Sequence, residues 1–426
     1  MTSKRLTILI VAGLVLGVVT GYTVHVMGSP ETATRFADAV GLLPFAFLRL
    51  IKMIIAPLVF STLVVGIAKM GDIATVGRIG GKALGWFIFA SLISLVLGMV
   101  LVQIFEPGKA LSLPLPDADA TSGMTASAMT MKGFIEHTLP TSAFDAMARN
   151  EILQIVIFSV FFGTAMAALG ERSRVVLDAL DVVSHIMLKV TAYVMLFAPL
   201  AVLGALASTV AKEGLGIIGV YGLFIGEFYL GLVVLWLILV GLGVLFVGGS
   251  TFRLVRRIRE PVLLAFSTAS SEAAFPRTLE ELERFGCSNR VASFVLPVGY
   301  SFNLDGSMMY CTFAVMFIAQ VYGIELSIGQ QVMMVAILML TSKGIAGVPR
   351  ASLVVVAATL AQFNMPEAGM LLLLGIDHFL DMGRSATNVV GNSIATAIVS
   401  KWEGELRSEA HEKSVQQAPA EQGNAA

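Results

Sequence analysis

The carboxyl-terminal part of the sequence places ionisable and amide side chains within otherwise apolar stretches. In the segment DHFLDMGRSATNVVGN these residues recur at steps of three or four positions, namely Asp377, Asp381, Arg384, Asn388 and Asn392. A helix with 3.6 residues per turn would align them in one polar stripe. Such a stripe needs a polar partner. The partner is either a bound solute with its ions or a second helix that forms a hydrogen-bonded seam, and both remain open at this point.

The residue types in this stripe indicate one kind of solute. The planar guanidinium of Arg384 can bind a carboxylate through two parallel hydrogen bonds. Asp381 can accept hydrogen bonds from an ammonium group, so one helix offers the complements of an amino acid with an extra carboxylate. Ser270 and Ser271, followed by Glu272, would add hydroxyl and amide donors for carboxylate oxygens.

A second polar segment, Asn303-Leu304-Asp305-Gly306-Ser307, interrupts another apolar run. Its carboxylate, amide and carbonyl oxygens suit an alkali cation or a proton relay, because hard cations prefer oxygen ligands. A simple helix kink is the equal alternative for this segment.

The composition indicates that lipid surrounds most of the chain. Of the 426 residues, 13% are charged and 56% are hydrophobic, whereas soluble domains carry about 25% charged residues. This excludes a soluble multidomain enzyme, a disordered protein and a nucleic-acid-binding protein, which needs a basic surface. The 28 basic and 29 acidic residues nearly balance. Cys287 and Cys311 are too far apart for a CxxC pattern and too few for a disulfide framework.

Eight stretches are long and apolar enough for transmembrane helices, which need about 20 residues. They are residues 6–27, 43–68, 83–105, 153–169, 186–209, 217–247, 292–321 and 370–399. Lys and Arg cluster after alternate spans, which predicts cytoplasmic amino and carboxyl termini. The segment 106–150 is then outside, and the polar tail 408–426 is predicted to be disordered.

Two further stretches, 259–283 and 330–365, have apolar arms on both sides of a small polar or Gly/Pro-containing centre. Each arm is too short to span a membrane, and non-helical backbone at membrane depth survives only against protein or a water-filled cavity. We therefore predict two re-entrant hairpins, a feature that indicates a transporter's binding site. Ordinary helices kinked at Gly and Pro are the alternative.

Four motifs in order carry a resemblance to a known family. STASSEAAFPRT, GYSFNLDGSMMY, SKGIAGVP and DHFLDMGRSATNVVGN together resemble the dicarboxylate/amino acid:cation symporters, which include the glutamate and aspartate transporters. The resemblance covers nearly all of the chain, including LIKMIIAPLVFSTLVVGIAKMGD near the second span.

The resemblance implies an all-α polytopic membrane protein with eight transmembrane helices and two re-entrant hairpins, assembled as a homotrimer in the inner membrane. It also implies a scaffold of residues 1–82 and 151–216, separated by an extracytoplasmic loop, 107–150. The remaining parts, 83–106 and 217–407, would form a transport unit that moves as an elevator.

The resemblance also implies roles for individual residues. Asp381 would hold the substrate amino group, Arg384 its distal carboxylate, and Asn388 with Ser385 its main-chain end, while Asp377 would orient Arg384. Further substrate contacts would come from Ser270, Ser271, Ser307, Gly347 and Val348, with Pro349 and Arg350 at the gate. The extra cation of Arg350 would meet an anionic substrate, favour a dicarboxylate, pair with an acid such as Glu272, or stand exposed.

Cation coupling is the point at which this sequence departs from the sodium-coupled members. The positions that resemble sodium ligands are Gly299, Asn303, Asp305, Asn388 and Asn392. Asn392 replaces a usual Asp, while Phe87 and Ala90, beside Ser91, replace residues with side-chain oxygens. These losses resemble the proton-coupled bacterial glutamate/aspartate branch. We therefore expect proton coupling, with sodium as the weaker alternative, and Glu272 as a candidate proton carrier or else a structural acid.

The sequence thus predicts a symporter that imports glutamate or aspartate with a cation, rather than an enzyme or a channel. The five histidines are scattered and neither HExxH nor GxSxG occurs, so no catalytic triad or zinc motif is apparent. A C4-dicarboxylate symporter is the alternative, although succinate or malate offers no ammonium to neutralise Asp381. The expected partners are this solute, membrane lipid and two further copies of the chain, with no nucleic acid and no cofactor beyond the co-transported ion.

Overall fold

The computed structural model describes residues 3–68, 73–110, 135–136, 138–214, 216–342 and 351–407. Within these ranges the chain is helical, and the one extended pairing is an isolated bridge between Cys287 and Leu406. The α-helices are, in chain order, α1 Ser3–Met27, α2 Pro30–Ala68, α3 Ile73–Phe105, α4 Pro107–Ala110, α5 Ala143–Arg149, α6 Ile152–Leu169, α7 Arg174–Val194, α8 Ala198–Glu213, α9 Gly216–Val247, α10 Ser250–Arg257, α11 Arg259–Thr268, α12 Ser271–Phe285, α13 Asn289–Phe302, α14 Asp305–Val321, α15 Ile328–Thr341, α16 Ala351–Gln362, α17 Met370–Leu374 and α18 Asp377–Trp402.

Long apolar helices make the chain a polytopic membrane protein. Among the described residues, six stretches have the length and hydropathy to cross a membrane: Ile8–Met27, Pro30–Ala68, Ala74–Phe105, Ile152–Glu213, Tyr221–Val247 and Asn289–Val321. Ile152–Glu213 contains two of the predicted spans and two short 3₁₀ turns, Gly170–Ser173 and Met195–Phe197. The eighth span, predicted at 370–399, is divided between α17 and α18, and it is not among these six stretches. The predicted all-α fold class is confirmed.

Several predicted boundaries were wrong for local reasons. The span predicted at 43–68 belongs to a helix of 39 residues that starts at Pro30, because a helix does not have to end where its apolar stretch ends. The span predicted at 186–209 is divided by the 3₁₀ turn Met195–Phe197, after which Pro199 lies in the first turn of α8. A proline is tolerated there because the amide hydrogens of a first turn have no helical partner.

The first predicted hairpin is present as α11 and α12. Ala269 adopts a left-handed conformation with φ of 48° between the two helices. Ser270 then caps α12, since its Oγ accepts a hydrogen bond from Ala273 N–H at 3.3 Å. The second predicted hairpin has its arms in α15 and α16. Its tip, with Gly347, Val348, Pro349 and Arg350, lies outside the described residues.

Helix α18 lies at the centre of the packing that forms the site. It contacts α9, α11, α12, α13 and α14, while α14 also packs along α3. Elsewhere α8 packs against α1 and α2. The division into a scaffold and a moving transport unit stays a prediction.

The segment that follows α18, residues 403–407, contacts α3 and the end of α12, and we call it the C-terminal strap. Glu403 pairs with Arg78 at 3.0 Å and with Lys82 at 2.6 Å, both on α3. Arg407 N–H donates to Gly286 O at 2.9 Å, beyond the end of α12. The strap therefore fixes α3 and the first hairpin to the end of α18.

Candidate functional site

Arg384 is a fully buried cation held by two acids of its own helix. Its Nη2 lies 3.0 Å from Asp377 Oδ1 and 3.0 Å from Asp381 Oδ1. Both partners are within two turns of Arg384, so the spacing along α18 brings these three charged side chains together. Arg384 Nη1 is buried and has no hydrogen-bond partner among the described residues. This guanidinium therefore has a donor left for a carboxylate.

The side chains of the two acids differ in their exposure. The Asp377 side chain is completely buried, whereas 16% of the Asp381 side chain is exposed. Asp377 is thus suited to orient Arg384, as the resemblance implied. Asp381 is suited to touch a bound solute.

An aromatic residue on α14 completes the surroundings of Arg384. The guanidinium carbon lies 4.0 Å from the centre of the Tyr310 ring, within cation–π range. The Tyr310 hydroxyl donates to Asp377 Oδ1 at 3.2 Å. Phe228 packs edge-on against the same ring, with centroids 5.8 Å apart. These contacts restrict the guanidinium to one orientation.

Asn388 joins α18 to the start of α14. Its Oδ1 accepts hydrogen bonds from Gly306 N–H at 2.9 Å and Ser307 N–H at 3.3 Å. Its Nδ2 donates to Ser307 Oγ at 3.1 Å. Asn388 therefore satisfies amide hydrogens that a helix amino terminus leaves unpaired. The predicted contacts Asn388 and Ser307 are brought together, and Ser385 is buried on the same helix.

The predicted cation ligands form a second buried cluster, one turn beyond Asn388. Asn303 Nδ2 donates to Asp305 Oδ2 at 3.0 Å and to Asn392 Oδ1 at 3.2 Å. Ser94 on α3 donates to Asp305 Oδ1 at 3.2 Å. Asn303 Oδ1 and Asn392 Nδ2 have no hydrogen-bond partner among the described residues. The cluster has one carboxylate, so its charge suits a proton or a single monovalent cation.

Two glycines allow this cluster to form. A Cβ on Gly391 would lie 1.9 Å from Asp305 Oδ2, and a Cβ on Gly299 would lie 2.4 Å from Asn392 Oδ1. The carboxylate and amide groups thus occupy the space that larger residues would fill. Gly299 was predicted as a ligand, and here it also supplies room.

The first hairpin tip lies at the end of an arm that packs on α18. Ser270, Ser271 and Glu272 are half-buried there. Ser270 Oγ accepts a hydrogen bond from Ala273 N–H as the helix cap, so the hydroxyl groups of Ser270 and Ser271 can both still donate. Beyond this packing, their predicted substrate contacts stay predictions.

Comparison with known proteins identifies the family. A model of the sodium:dicarboxylate symporter family matches residues 6–402. The chain belongs to this family. The resemblance seen in the four motifs is therefore confirmed.

Relatives in this symporter family carry two kinds of name. A C4-dicarboxylate transport protein of Rhodospirillum rubrum is 42% identical over 366 residues, which cover 85% of this chain and 82% of that protein. Another C4-dicarboxylate transport protein, from Bacillus subtilis, is 38% identical and covers 95% and 94%. A proton/sodium-glutamate symport protein of Bacillus caldotenax is 40% identical and covers 93% and 94%. These names favour the C4-dicarboxylate alternative over the acidic amino acid that the sequence predicted.

Several residues that position the symporter's site were not predicted from the sequence. Tyr229 OH donates to Phe379 O at 2.6 Å, and Trp236 Nε1 donates to Thr387 Oγ1 at 2.8 Å. Both residues lie on α9, an apolar span whose sequence does not indicate which helix packs against it. Tyr310 was visible in the motif GYSFNLDGSMMY, but its contact with Arg384 depends on how α14 packs against α18.

Proposed function

We propose that this chain is a symporter that moves a C4-dicarboxylate together with cations, and that Arg384 binds one substrate carboxylate. The observation that carries the proposal is the buried guanidinium with Nη1 unoccupied by any described group. An arginine fork recognises carboxylates in a bidentate manner. The names of the relatives support four-carbon dicarboxylates as the first candidate.

Charge explains why a cation should accompany the substrate. Around Arg384 two acids surround one base, and Asp305 lies buried nearby. A dicarboxylate entering this region adds negative charge where low polarity strengthens repulsion. Co-bound cations offset that repulsion, so substrate and cation should bind with positive coupling.

A second candidate substrate class is the acidic amino acids. The partly exposed Asp381 favours it, because an ammonium group beside this acid would be neutralised. Relatives named as proton/sodium-glutamate symport proteins support it as well. Aspartate combines both classes, since it has four carbons, two carboxylates and an amino group.

Protons are the favoured coupling ion, with sodium as the alternative. Asn392 provides an amide where a further charge would strengthen a sodium site, and Asn303 Nδ2 donates hydrogen bonds into the cluster. A donor that points at the cluster's oxygens competes with a metal cation for them. Glu272 remains a proposed proton carrier. We further propose a homotrimer in the inner membrane, with elevator movement and cytoplasmic termini, on the resemblance alone.

Uptake into proteoliposomes tests the proposal. Labelled succinate should accumulate above its external concentration when an inward proton gradient is imposed, and unlabelled malate, fumarate and aspartate should compete. Accumulation of glutamate without succinate competition would favour the second candidate. Strict dependence on a sodium gradient would contradict proton coupling. Substrate that only equilibrates, without accumulation, would contradict symport.

A further inference from the structure

Helix α9 carries an acidic residue within its apolar stretch. Glu227 is the single charged residue in GIIGVYGLFIGEFYLGLVVLWLILVGLGVLFV. It lies six residues inside the apolar stretch Tyr221–Val247, about 9 Å from the start at the helical rise of 1.5 Å per residue. An ionisable residue at membrane depth is costly, and it usually marks an ion or proton pathway.

The immediate surroundings of Glu227 do not support a negative charge. Its Oε2 atom is buried and has no hydrogen-bond partner among the described residues. Within the same part of the chain, Glu227 forms no ion pair at 4.0 Å or less. Glu227 is half-buried, and ionisation would leave the buried Oε2 atom without a hydrogen bond to compensate for its lost hydration. A carboxyl group that has bound a proton is neutral and avoids this penalty.

Several charged and titratable groups lie on the elements packed against α9. Two of them, His378 and Lys401, lie near the two ends of α18. On α18, Asp377, Asp381 and Arg384 pair with one another, and Tyr310 on α14 donates to Asp377. On α4, Lys109 pairs with Glu106 at 2.6 Å. Cys311 is buried on α14, and α3 has no charged residue between Lys82 and Phe105. The arginines of α10 follow the carboxyl end of α9, whereas Glu227 lies nearer its amino end; they are Arg253, Arg256 and Arg257.

The residues that follow Glu227 connect it to the substrate site. Phe228 packs edge-on against Tyr310, whose ring lies under Arg384. Tyr229 donates a hydrogen bond to Phe379 O, between Asp377 and Asp381 on α18. A change in the position or charge of Glu227 therefore acts on a helix that holds the Arg384 group.

Glu272 has a different electrostatic environment from Glu227. The charges of Lys52 and Glu151 both act on Glu272, and they have opposite effects on its ionised form. Glu227 has no ion-pair partner in the described structure.

We propose that Glu227 is a proton-binding site that carries a co-transported proton. The proton would bind to a carboxylate oxygen from water on one side of the membrane and leave to water on the other, with no other bond made or broken. The proposal rests on the symport function proposed above and names the group that binds its coupling ion.

The test compares wild type with Glu227→Gln, which preserves shape but cannot titrate, in proteoliposomes. In wild type, an imposed proton gradient should drive accumulation of labelled succinate or aspartate. In Glu227→Gln, that accumulation should fall at least tenfold, while exchange of internal for external substrate stays within twofold of wild type. The exchange rate of the variant should no longer vary between pH 5.5 and 8. Glu227→Asp should retain the pH dependence.

Glu213→Gln, which alters an exposed acid at the end of α8, serves as the matched control and should behave as wild type. Proton-driven accumulation by Glu227→Gln at the wild-type level would overturn the proposal. Loss of exchange together with accumulation would also overturn it, because it would place Glu227 in substrate binding or folding. Wild type that accumulates substrate only with sodium would overturn the proton site and leave symport standing. Wild type that never accumulates substrate would instead refute the proposed function.

Discussion

Asp381 Oδ1 lies 3.0 Å from Arg384 Nη2, so the acid expected to hold a substrate amino group is already the partner of the base expected to hold a carboxylate. A zwitterionic substrate can exchange this contact for two new ones, its carboxylate to Arg384 and its ammonium to Asp381. A dicarboxylate without an amine would satisfy Arg384 only. Substitution of Asp381 alone should therefore distinguish binding of a zwitterionic substrate from binding of a dicarboxylate without an amine.

The first prediction concerns this preference. Asp381→Asn should lower the affinity for aspartate about ten- to a hundredfold, since a hydrogen bond to a charged group contributes about 1.5–3 kcal/mol. Affinity for succinate should change less than threefold or improve, because a negative charge near the second carboxylate is removed. Competition of each compound against labelled substrate measures both values. An equal loss for the two compounds would contradict a role for Asp381 in binding the amine.

Arg384→Lys is the second prediction, and it keeps the charge while removing the planar fork. Lysine cannot pair with Asp377 and Asp381 and still present a second donor to a carboxylate in the same plane. Uptake should fall at least tenfold for every dicarboxylate tested. The matched control is Arg35→Lys, because Arg35 is exposed and pairs with Glu31 one turn away on α2. Uptake by the two variants at equal rates would contradict the proposed role of Arg384.

The polar stripe of α18 shows what the sequence could predict about this site. Spacing alone aligned Asp377, Asp381 and Arg384, because their contacts are local to one helix. The first hairpin was also predictable, since a small polar tip between two short apolar arms has few other solutions in a membrane. The family resemblance supplied the remaining roles.

Contacts between distant helices could not be predicted in this way. Tyr310 reaches Arg384 from α14, and Ser94 reaches Asp305 from α3. Periodicity assigns each residue to a face of its helix but does not say which helix lies opposite. Glu227 was not predicted either, because its proposed role depends on the absence of a hydrogen-bond partner for Oε2 among the described residues.

The third prediction uses the close approach of α18 and α14. Gly391→Ala would place a Cβ 1.9 Å from Asp305 Oδ2, and Asp305 is held by Asn303 and Ser94. Overpacking of this kind costs about 1–3 kcal/mol, so both the melting temperature in detergent and uptake should fall. Gly85→Ala on α3 is the matched control, since its Cβ would meet no atom within 4 Å. It should be neutral or slightly stabilising, because alanine favours a helix. Equal melting temperatures for the two variants would contradict the packing argument.

The fourth prediction concerns the C-terminal strap. Burial alone would raise the pKa of the Glu403 carboxyl, but hydrogen bonds from Arg78 and Lys82 and the charges of both lower it below its ordinary value. A depressed pKa in the folded state means that the carboxylate stabilises the fold above its unfolded pKa of about 4.3. That stabilisation is lost as the pH falls through the lower folded pKa.

Glu403→Gln should therefore lower the melting temperature at pH 7, and the difference from wild type should shrink as the pH falls below about 4.3. The physical reason is that a protonated Glu403 and a glutamine are both neutral partners for Arg78 and Lys82. Thermal unfolding in detergent at pH 7, 5 and 3.5 measures the difference. Glu31→Gln, which removes an exposed acid paired with Arg35, should leave the melting temperature nearly unchanged at each pH. A difference between wild type and Glu403→Gln that stays constant from pH 7 to 3.5 would show that shape, rather than the charge of Glu403, fixes the strap.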